Sequence, residues 1–242
     1  MHNGGLIVIM QNLCIIPARG GSKRFPKKNI ALLNGKPLLN YSIEVASASK
    51  LFESVIVSTE DPDIKAVASE AGAVVHERVP ELASDSVRIP EVCLDVIKYC
   101  EAQGERYDVF CLLQPTCPLR TVHDLTDSYW QFCDRDANYS ISVCEYDDPP
   151  FWAMCEDKEG YLKFFWGEKY ITVRQNLPRV FRHNGSIIWA KIEVFCREKE
   201  FMRGSRAIPY FMPVERSIDI DYPVNLRLAE CVLKEEASSE DI

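Results

Sequence analysis

The chain contains no GxxxxGK followed by Ser or Thr, which disfavours a P-loop kinase or GTPase. It contains no GxGxxG either, which disfavours a dinucleotide-binding Rossmann domain. There is no CxxC pair. The 10 cysteines are spread out, so zinc and thiol-redox motifs have no support. No apolar run approaches the ~20 residues of a membrane span, so no membrane association is expected. Excess positive charge is missing too: the net charge is −8, which argues against nucleic acid as a partner. Residues 1–12 lack the cationic start and long apolar core of a signal peptide, since only Leu6–Met10 is apolar. They read as a ragged leader with Met10 as an alternative start, and the chain as a soluble protein of a reducing cytoplasm.

What is present is ordinary globular composition, 47% hydrophobic and 26% charged over 242 residues. That suffices for one large domain, with or without a small insertion. The chain is organised around Leu13–Asn29, LCIIPARGGSKRFPKKN. Cys14-Ile15-Ile16 is too short for a helix and fits a buried parallel strand, which stops at Pro17. Directly after it come Gly20 and Gly21, within a run that holds Arg19, Lys23, Arg24, Lys27 and Lys28. Paired glycines let backbone N–H groups approach a ligand, and the cations suit phosphate oxygens. The ligand implied is polyanionic, most simply a nucleoside triphosphate. The plainer reading is a basic surface loop on an acidic protein.

Strand and helix alternate through the first half. Leu38–Ala48, Asp61–Ala71, Pro90–Gln103 and Thr121–Cys133 read as helices. Ser54–Thr59, Ala73–His76, Asp108–Leu113 and Tyr139–Val143 read as strands, and residues 77–89 as a loop. This predicts an α/β fold, a mainly parallel twisted sheet with helices on both faces and ligands at the carboxyl ends of its strands. Residues 147–182 are aromatic and irregular, a hairpin-rich excursion suited to a subunit interface or a substrate lid. Strands at Ser186–Ala190 and Tyr210–Val214 follow, then a helix over Asn225–Glu235 and a polar tail over 236–242. The expected domain is a single one over residues 13–235.

Asp219 and Asp221 alternate with Ile218 and Ile220. In an extended segment residues two apart share a side, so two carboxylates face one way and repel unless a cation lies between them. A Mg²⁺ site is the economical reading, with substrate phosphates completing the shell. The alternative is a pair of helix-capping aspartates.

Four segments, Ile15–Asn29, Glu81–Ser86 (ELASDS), Leu112–Arg120 (LLQPTCPLR) and Ser217–Asp221 (SIDID), together resemble the acylneuraminate cytidylyltransferases. A fifth, Arg174–Trp189, sits where that family places its sugar-binding elements. The resemblance implies a Rossmann-like nucleotidyltransferase. It implies transfer of CMP from CTP to the anomeric hydroxyl of a nine-carbon 2-keto sugar acid, and a homodimer built on the 147–182 excursion. It implies triphosphate contacts from Arg19, Ser22 and Lys28, from the N–H groups of Gly20 and Gly21, and from Lys23 and Asn29. Arg78, Ser84 and Asp85 would face the nucleotide, with a turn role as the alternative for Ser84. Arg19, Lys28, Asp219 and Asp221 would form the catalytic set, and Gln114 would contact the sugar. Lys27 reads as a solvated surface lysine. Arg174 and Arg182 suit the sugar carboxylate, and Asn184 a hydroxyl or acyl amide; a surface salt bridge is the plainer reading for either arginine.

One departure bears on the sugar. The sialic-acid members carry a lysine near the start of the excursion, and this chain has Pro149-Pro150-Phe151-Trp152. That leaves room for a deoxy, diacylamino acid of legionaminic or pseudaminic type. Competing expectations are a Kdo cytidylyltransferase, a sugar 1-phosphate nucleotidyltransferase, and a catalytically inactive nucleotide-binding dimer.

Overall fold

The structure, a computed structural model, describes residues 10–201 and 205–240, the last five by their backbone only. The leader expected over residues 1–12 lies largely outside the described residues. Met10 packs against the core, and Asn12 already belongs to the first strand. The elements in chain order are β1 (Asn12–Pro17), β2 (Leu32–Leu33), β3 (Lys36–Pro37), α1 (Leu38–Ser49), β4 (Ser54–Thr59), α2 (Pro62–Glu70), β5 (Val74–Glu77), α3 (Ile89–Ala102), β6 (Val109–Leu113) and α4 (Val122–Asp134). Then come β7 (Tyr139–Glu145), β8 (Met154–Glu156), β9 (Leu162–Phe164), β10 (Phe181–Lys191), α5 (Ile192–Glu198), β11 (Ala207–Phe211) and α6 (Pro223–Glu240).

Seven strands form one sheet in the order β11-β7-β10-β6-β1-β4-β5. β1 pairs in parallel with β4 and with β6, β4 with β5, and β11 with β7. β10 alone runs antiparallel, wedged between β6 and β7. The chain leaves β1 for β4 and β5 on one side, then returns to β6 on the other. A crevice therefore opens at the carboxyl ends of β1 and β6, where ligands of such sheets bind.

The strand periodicity sorts the core into two layers. Cys14 and Ile16 of β1 face Leu39, Ile43, Ile64, Leu125 and Phe132 of α1, α2 and α4. Leu13 and Ile15 face Cys93, Val96 and Phe195 of α3 and α5. Every residue of β1 is buried, as a strand covered on both faces must be. Trp189 of β10 is fully buried, stacks on Phe52 at 5.4 Å and donates its ring N–H to Ser128 Oγ at 2.9 Å. A third, smaller cluster of Leu33, Leu38, Leu119, Ile220 and Ala229 seats α6 over β2 and β3, beside the crevice.

Four expectations change, the first being the strand expected over Tyr210–Val214, which lies three residues earlier as β11. β10 is longer than Ser186–Ala190. Its polar start, Arg182-His183-Asn184, hides the strand pattern and is paired with β7 across a register shift between His183 and Ile188. α5 was not anticipated, because a helix of seven residues that buries only Val194 and Phe195 has too short a periodic signal. The polar tail is helical through 240, and residues 241–242 lie outside the described residues. The 147–182 excursion holds the hairpin β8–β9 with short 3-10 turns.

Candidate active site

A cavity of about 550 Å³ opens in the crevice. Its walls come from the loops after β1, β5 and β6 and from the 213–222 segment that leads into α6. Arg19, Ser22, Lys23, Lys28, Asn29, Arg78, Ser84, Asp85, Gln114 and Asp221 all line it. Ten residues singled out from the sequence, spread over about two hundred positions, thus meet in one place.

The glycine loop is held by its own backbone and by β4. Ser22 N–H donates to the Gly20 carbonyl at 2.9 Å, and Asn29 Nδ2 to the Arg19 carbonyl at 2.9 Å. Gly20 N–H donates to Glu60 Oε1 at 2.8 Å. Gly20 cannot carry a side chain here: a Cβ would sit 2.3 Å from Asp61 Oδ2 and 2.8 Å from Asp61 Cβ. Asp61 is itself fixed, because its carboxylate caps α2 by accepting from the N–H groups of Asp63 and Ile64 at 2.9 and 3.0 Å. Gly21 has open space around it. Lys27 adopts a left-handed backbone, φ 54°, and pairs with Asp63 on the surface, in keeping with a solvated lysine.

Two carboxylates stand among the loop cations. Asp85 bridges Arg19 at 2.7 Å and Lys23 at 2.5 Å, and these partners, Lys23 first, hold its carboxyl below the usual range. Asp221 receives Lys28 at 2.7 Å and Arg24 at 3.3 Å, and the Lys28 hydrogen bond holds it low. These four cations are thus already paired with carboxylates. Ser84 lies at the rim with its hydroxyl 3.0 Å from that of Ser86.

Asp219 lies two residues before Asp221, whose N–H donates to the Asp219 carbonyl at 3.1 Å, so the segment turns there rather than running extended. Ile220 between them is fully buried and donates its N–H to the Thr116 carbonyl at 2.8 Å. Asp219 is open to water yet crowded by protein. That crowding raises its carboxyl above the usual value; the Thr116 hydroxyl pulls it down, and the charge of Asp221 pushes it up. Two carboxylates beside a hydroxyl are hard oxygen donors of the kind Mg²⁺ takes. Among the described residues no cluster of three or more His, Cys, Asp or Glu side chains forms here. A magnesium ion at this place would complete its shell from substrate phosphates and water.

Arg120, which was not among the residues expected to matter, supports the loop after β6. It is 4% exposed and donates to Ser186 Oγ at 3.2 Å, to Ser42 Oγ at 2.7 Å and to the Gln114 carbonyl. Its only trace in the sequence was its place at the end of LLQPTCPLR. The Gln114 side chain rests on Gly185, whose φ of +72° turns the strand and where a Cβ would come within 2.9 Å of Gln114 Nε2.

The other residues expected at the sugar end do not line this cavity within one copy of the chain. Asn184 is buried and fully engaged: Oδ1 accepts from Ser142 and from the Ser186 N–H, and Nδ2 reaches Ser217 Oγ and Met212 Sδ. All four of its hydrogen-bonding positions are taken inside the protein. Arg174 donates to the Tyr146 carbonyl at 2.8 Å and lines a separate cleft of about 170 Å³. Arg182 projects from β10 to the Ser217 carbonyl at 3.3 Å. Arg182 lines neither that cleft nor the crevice cavity.

A family model described as Cytidylyltransferase matches residues 13–204. The pseudaminic acid cytidylyltransferase of Campylobacter jejuni (serotype O:2) is 31% identical over 93% of this chain and 97% of its own length. The N-acylneuraminate cytidylyltransferase of Streptococcus agalactiae (serotype V) is 33% identical over 88% of this chain and 51% of its own length, so the chain spans about half of that relative. A solved structure of CMP:2-keto-3-deoxy-manno-octonic acid synthetase complexed with CTP aligns with a TM-score of 0.69 at 15% identity, covering 93% of this chain and 99% of its own.

Proposed function

The chain belongs to the cytidylyltransferase family, and from that premise we propose that it transfers CMP from CTP to the anomeric hydroxyl of a nine-carbon 2-keto sugar acid. The new bond joins the sugar oxygen to the α-phosphorus, the bond from the α-phosphorus to the bridging oxygen breaks, pyrophosphate leaves, and the hydroxyl proton passes to solvent. The observation that carries this reading is the single cavity at the sheet's switch point, where Arg19, Lys23, Arg24, Lys28 and Arg78 converge. In-line displacement needs positioning and neutralisation of charge on the triphosphate, and these residues supply both. Arg19, Lys23 and Lys28 bind phosphate oxygens, Ser22 and the Gly21 N–H assist, and Asn29 keeps the loop in shape through the Arg19 carbonyl. Asp219 and Asp221 would hold Mg²⁺, which would supply charge neutralisation on the phosphates. Gln114, next to Gly185 at the far wall, addresses the sugar.

The sugar is a deoxy, diacylamino acid rather than N-acetylneuraminate. The lysine-free text Pro149–Trp152 and the pseudaminic acid relative support this reading. In one copy of the chain Phe151 packs on Tyr170 at 4.4 Å and does not line the cavity, so it would reach a sugar only across a dimer. Among the described residues no helix is long and apolar enough to cross a membrane. All ten cysteines are free, which fits a reducing cytoplasm.

The test is release of pyrophosphate from CTP with a panel of sugar acids: N-acetylneuraminate, a 9-deoxy diacylamino acid and Kdo. Turnover of the diacylamino acid with CTP, at least tenfold above that with UTP or ATP, is expected. Chelation of divalent cations should abolish it, and Asp221→Ala should reduce it by orders of magnitude without loss of fold. Binding of CTP with no pyrophosphate from any sugar acid would leave an inactive nucleotide-binding protein.

A further inference from the structure

Arg19 and Lys23 each have Asp85 within ion-pair distance, and Arg24 and Lys28 have Asp221. Arg78 is different: among the described residues no carboxylate pairs with it. It is 4% exposed and lines the cavity. Its Nε donates to Ser58 Oγ at 3.2 Å and its Nη2 to the Ser58 carbonyl at 2.7 Å. Glu60 acts on it only through longer-range attraction, and burial works against its charge. A buried cation held by neutral partners at a cavity wall is disposed to meet an anion there.

The hydroxyl that holds Arg78 has a second partner. Ser58 Oγ accepts from Arg78 and has one proton of its own to give. His76 Nδ1 lies 3.1 Å away, and both His76 and Ser58 are buried. The Asp95 carboxylate beside Nε2 favours the neutral tautomer with its hydrogen on Nε2, and in that tautomer Nδ1 accepts the Ser58 proton. Nε2 faces Asp95 Oδ2 at 3.5 Å, and that buried oxygen has no hydrogen-bond partner. A hydrogen-bonded chain thus runs from Arg78 through Ser58 to His76, with the Asp95 carboxylate facing the far side of the ring, from the cavity through β4 and β5 to α3.

We propose that His76 and Asp95 are positioning residues for the nucleotide site. Acting through Ser58, they hold the Arg78 guanidinium in the orientation that presents its remaining donors to the nucleotide. This rests on the functional reading above, in which the anion is CTP.

Protonation of His76 would break the chain. Nδ1 would become a donor, the Ser58 proton would lose its acceptor, and a second cation would lie buried beside Arg78. The groups facing the ring are Ser58 from β4, Asp95 and the edge-on Tyr99 ring from α3, and Arg78 beyond the end of β5. Glu60, Arg19, Cys93 and Asp95 surround Arg78 in turn. Asp95 favours the charged ring; burial first, then Arg78, oppose it, and His76 titrates below the ordinary histidine value. The neutral, chain-forming state therefore holds at neutral pH and is lost as pH falls through that lowered value.

The experiment is calorimetric titration of CTP into the wild-type protein, His76→Ala and His76→Asn, between about pH 5 and pH 7.5, with circular dichroism to confirm the fold. At neutral pH His76→Ala should bind CTP about three- to tenfold more weakly, the size of one lost hydrogen bond. His76→Asn offers an oxygen for the Ser58 proton and does not titrate. It should bind like the wild type at neutral pH and lack the wild type's extra weakening in acid, a comparison that also cancels the titration of CTP itself. A folded His76→Ala that binds as well as the wild type would overturn the inference. So would His76→Asn weakening in parallel with the wild type as pH falls, and this second comparison decides the matter if His76→Ala does not fold. Failure of the wild type to bind CTP at any pH would instead remove the functional reading, and this inference with it.

Discussion

Asp85 illustrates how one side chain can be placed at a site for a reason its type does not advertise. A carboxylate is a poor neighbour for a triphosphate, yet Asp85 lies between the two cations best placed for phosphate, Arg19 and Lys23. Its charge competes with that of any anion that would bind them. Removing that competitor should help an anion bind. Asp85→Asn is expected to tighten inorganic pyrophosphate about two- to fivefold, the range set by exposed ion pairs, with the gain shrinking at high salt. Weaker pyrophosphate binding in that variant would mean that the carboxylate helps the ligand rather than displacing it. Asn184 teaches the converse. Its position in the chain suggested a ligand contact, and the structure fills all four hydrogen-bonding positions of its buried amide with protein groups.

At the scale of elements, the site depends on how loops seat on strand ends. The glycine loop presses its backbone against the cap of α2, since the Gly20 Cα lies where any Cβ would strike Asp61. Gly20→Ala must move the loop or displace the cap. Losing the cap costs about 1 kcal/mol of stability, which a folded domain tolerates. Displacing the loop by an ångström should raise the KM for CTP by tenfold or more. Steady-state kinetics together with a melting curve would check both, and a variant with unchanged KM would show that the loop is not held by this contact. The loop after β6 is seated differently, on the Arg120 guanidinium below and the Gly185 turn of β10 beside it. The register shift in β10 supplies that turn, as bulges do next to functional sites.

For the whole molecule the unresolved demand is the apolar surface of the excursion. Leu162 is 73% exposed, Tyr161 68%, Phe165 61% and Trp166 53%, all on or beside the hairpin β8–β9 and away from either core layer. Contiguous apolar surface of this kind marks an interface. The occupant we propose is a second copy of the chain, related by a two-fold axis. Sedimentation at micromolar concentration is expected to give a homodimer, and Leu162→Asp with Phe165→Asp a folded monomer. A wild-type monomer at that concentration would exclude this arrangement. The same dimer is where Phe151, Arg174 and Arg182 would have to act if they touch a sugar, because they lie outside the cavity of their own copy.

Local sequence determined the parts of this protein whose physics is local. Continuous burial of Leu13–Ile16 and Ile56–Thr59, helical spacing in Leu38–Ser49 and Ile89–Ala102, and glycines at a strand end are all periodicity or backbone freedom, and each reads directly from the chain. The alternation of these elements was enough to predict the sheet and the end at which its cavity opens. The tertiary structure decided what depends on contacts across long separations. It inserted β10 antiparallel between β6 and β7, set Asp85 against Arg19 and Asp221 against Lys28, and put Arg120 under Gln114. It also joined His76 to Arg78 through a serine on the neighbouring strand. A buried polar group takes whichever partner the packed core brings within reach, and no residue spacing along the chain encodes that distance.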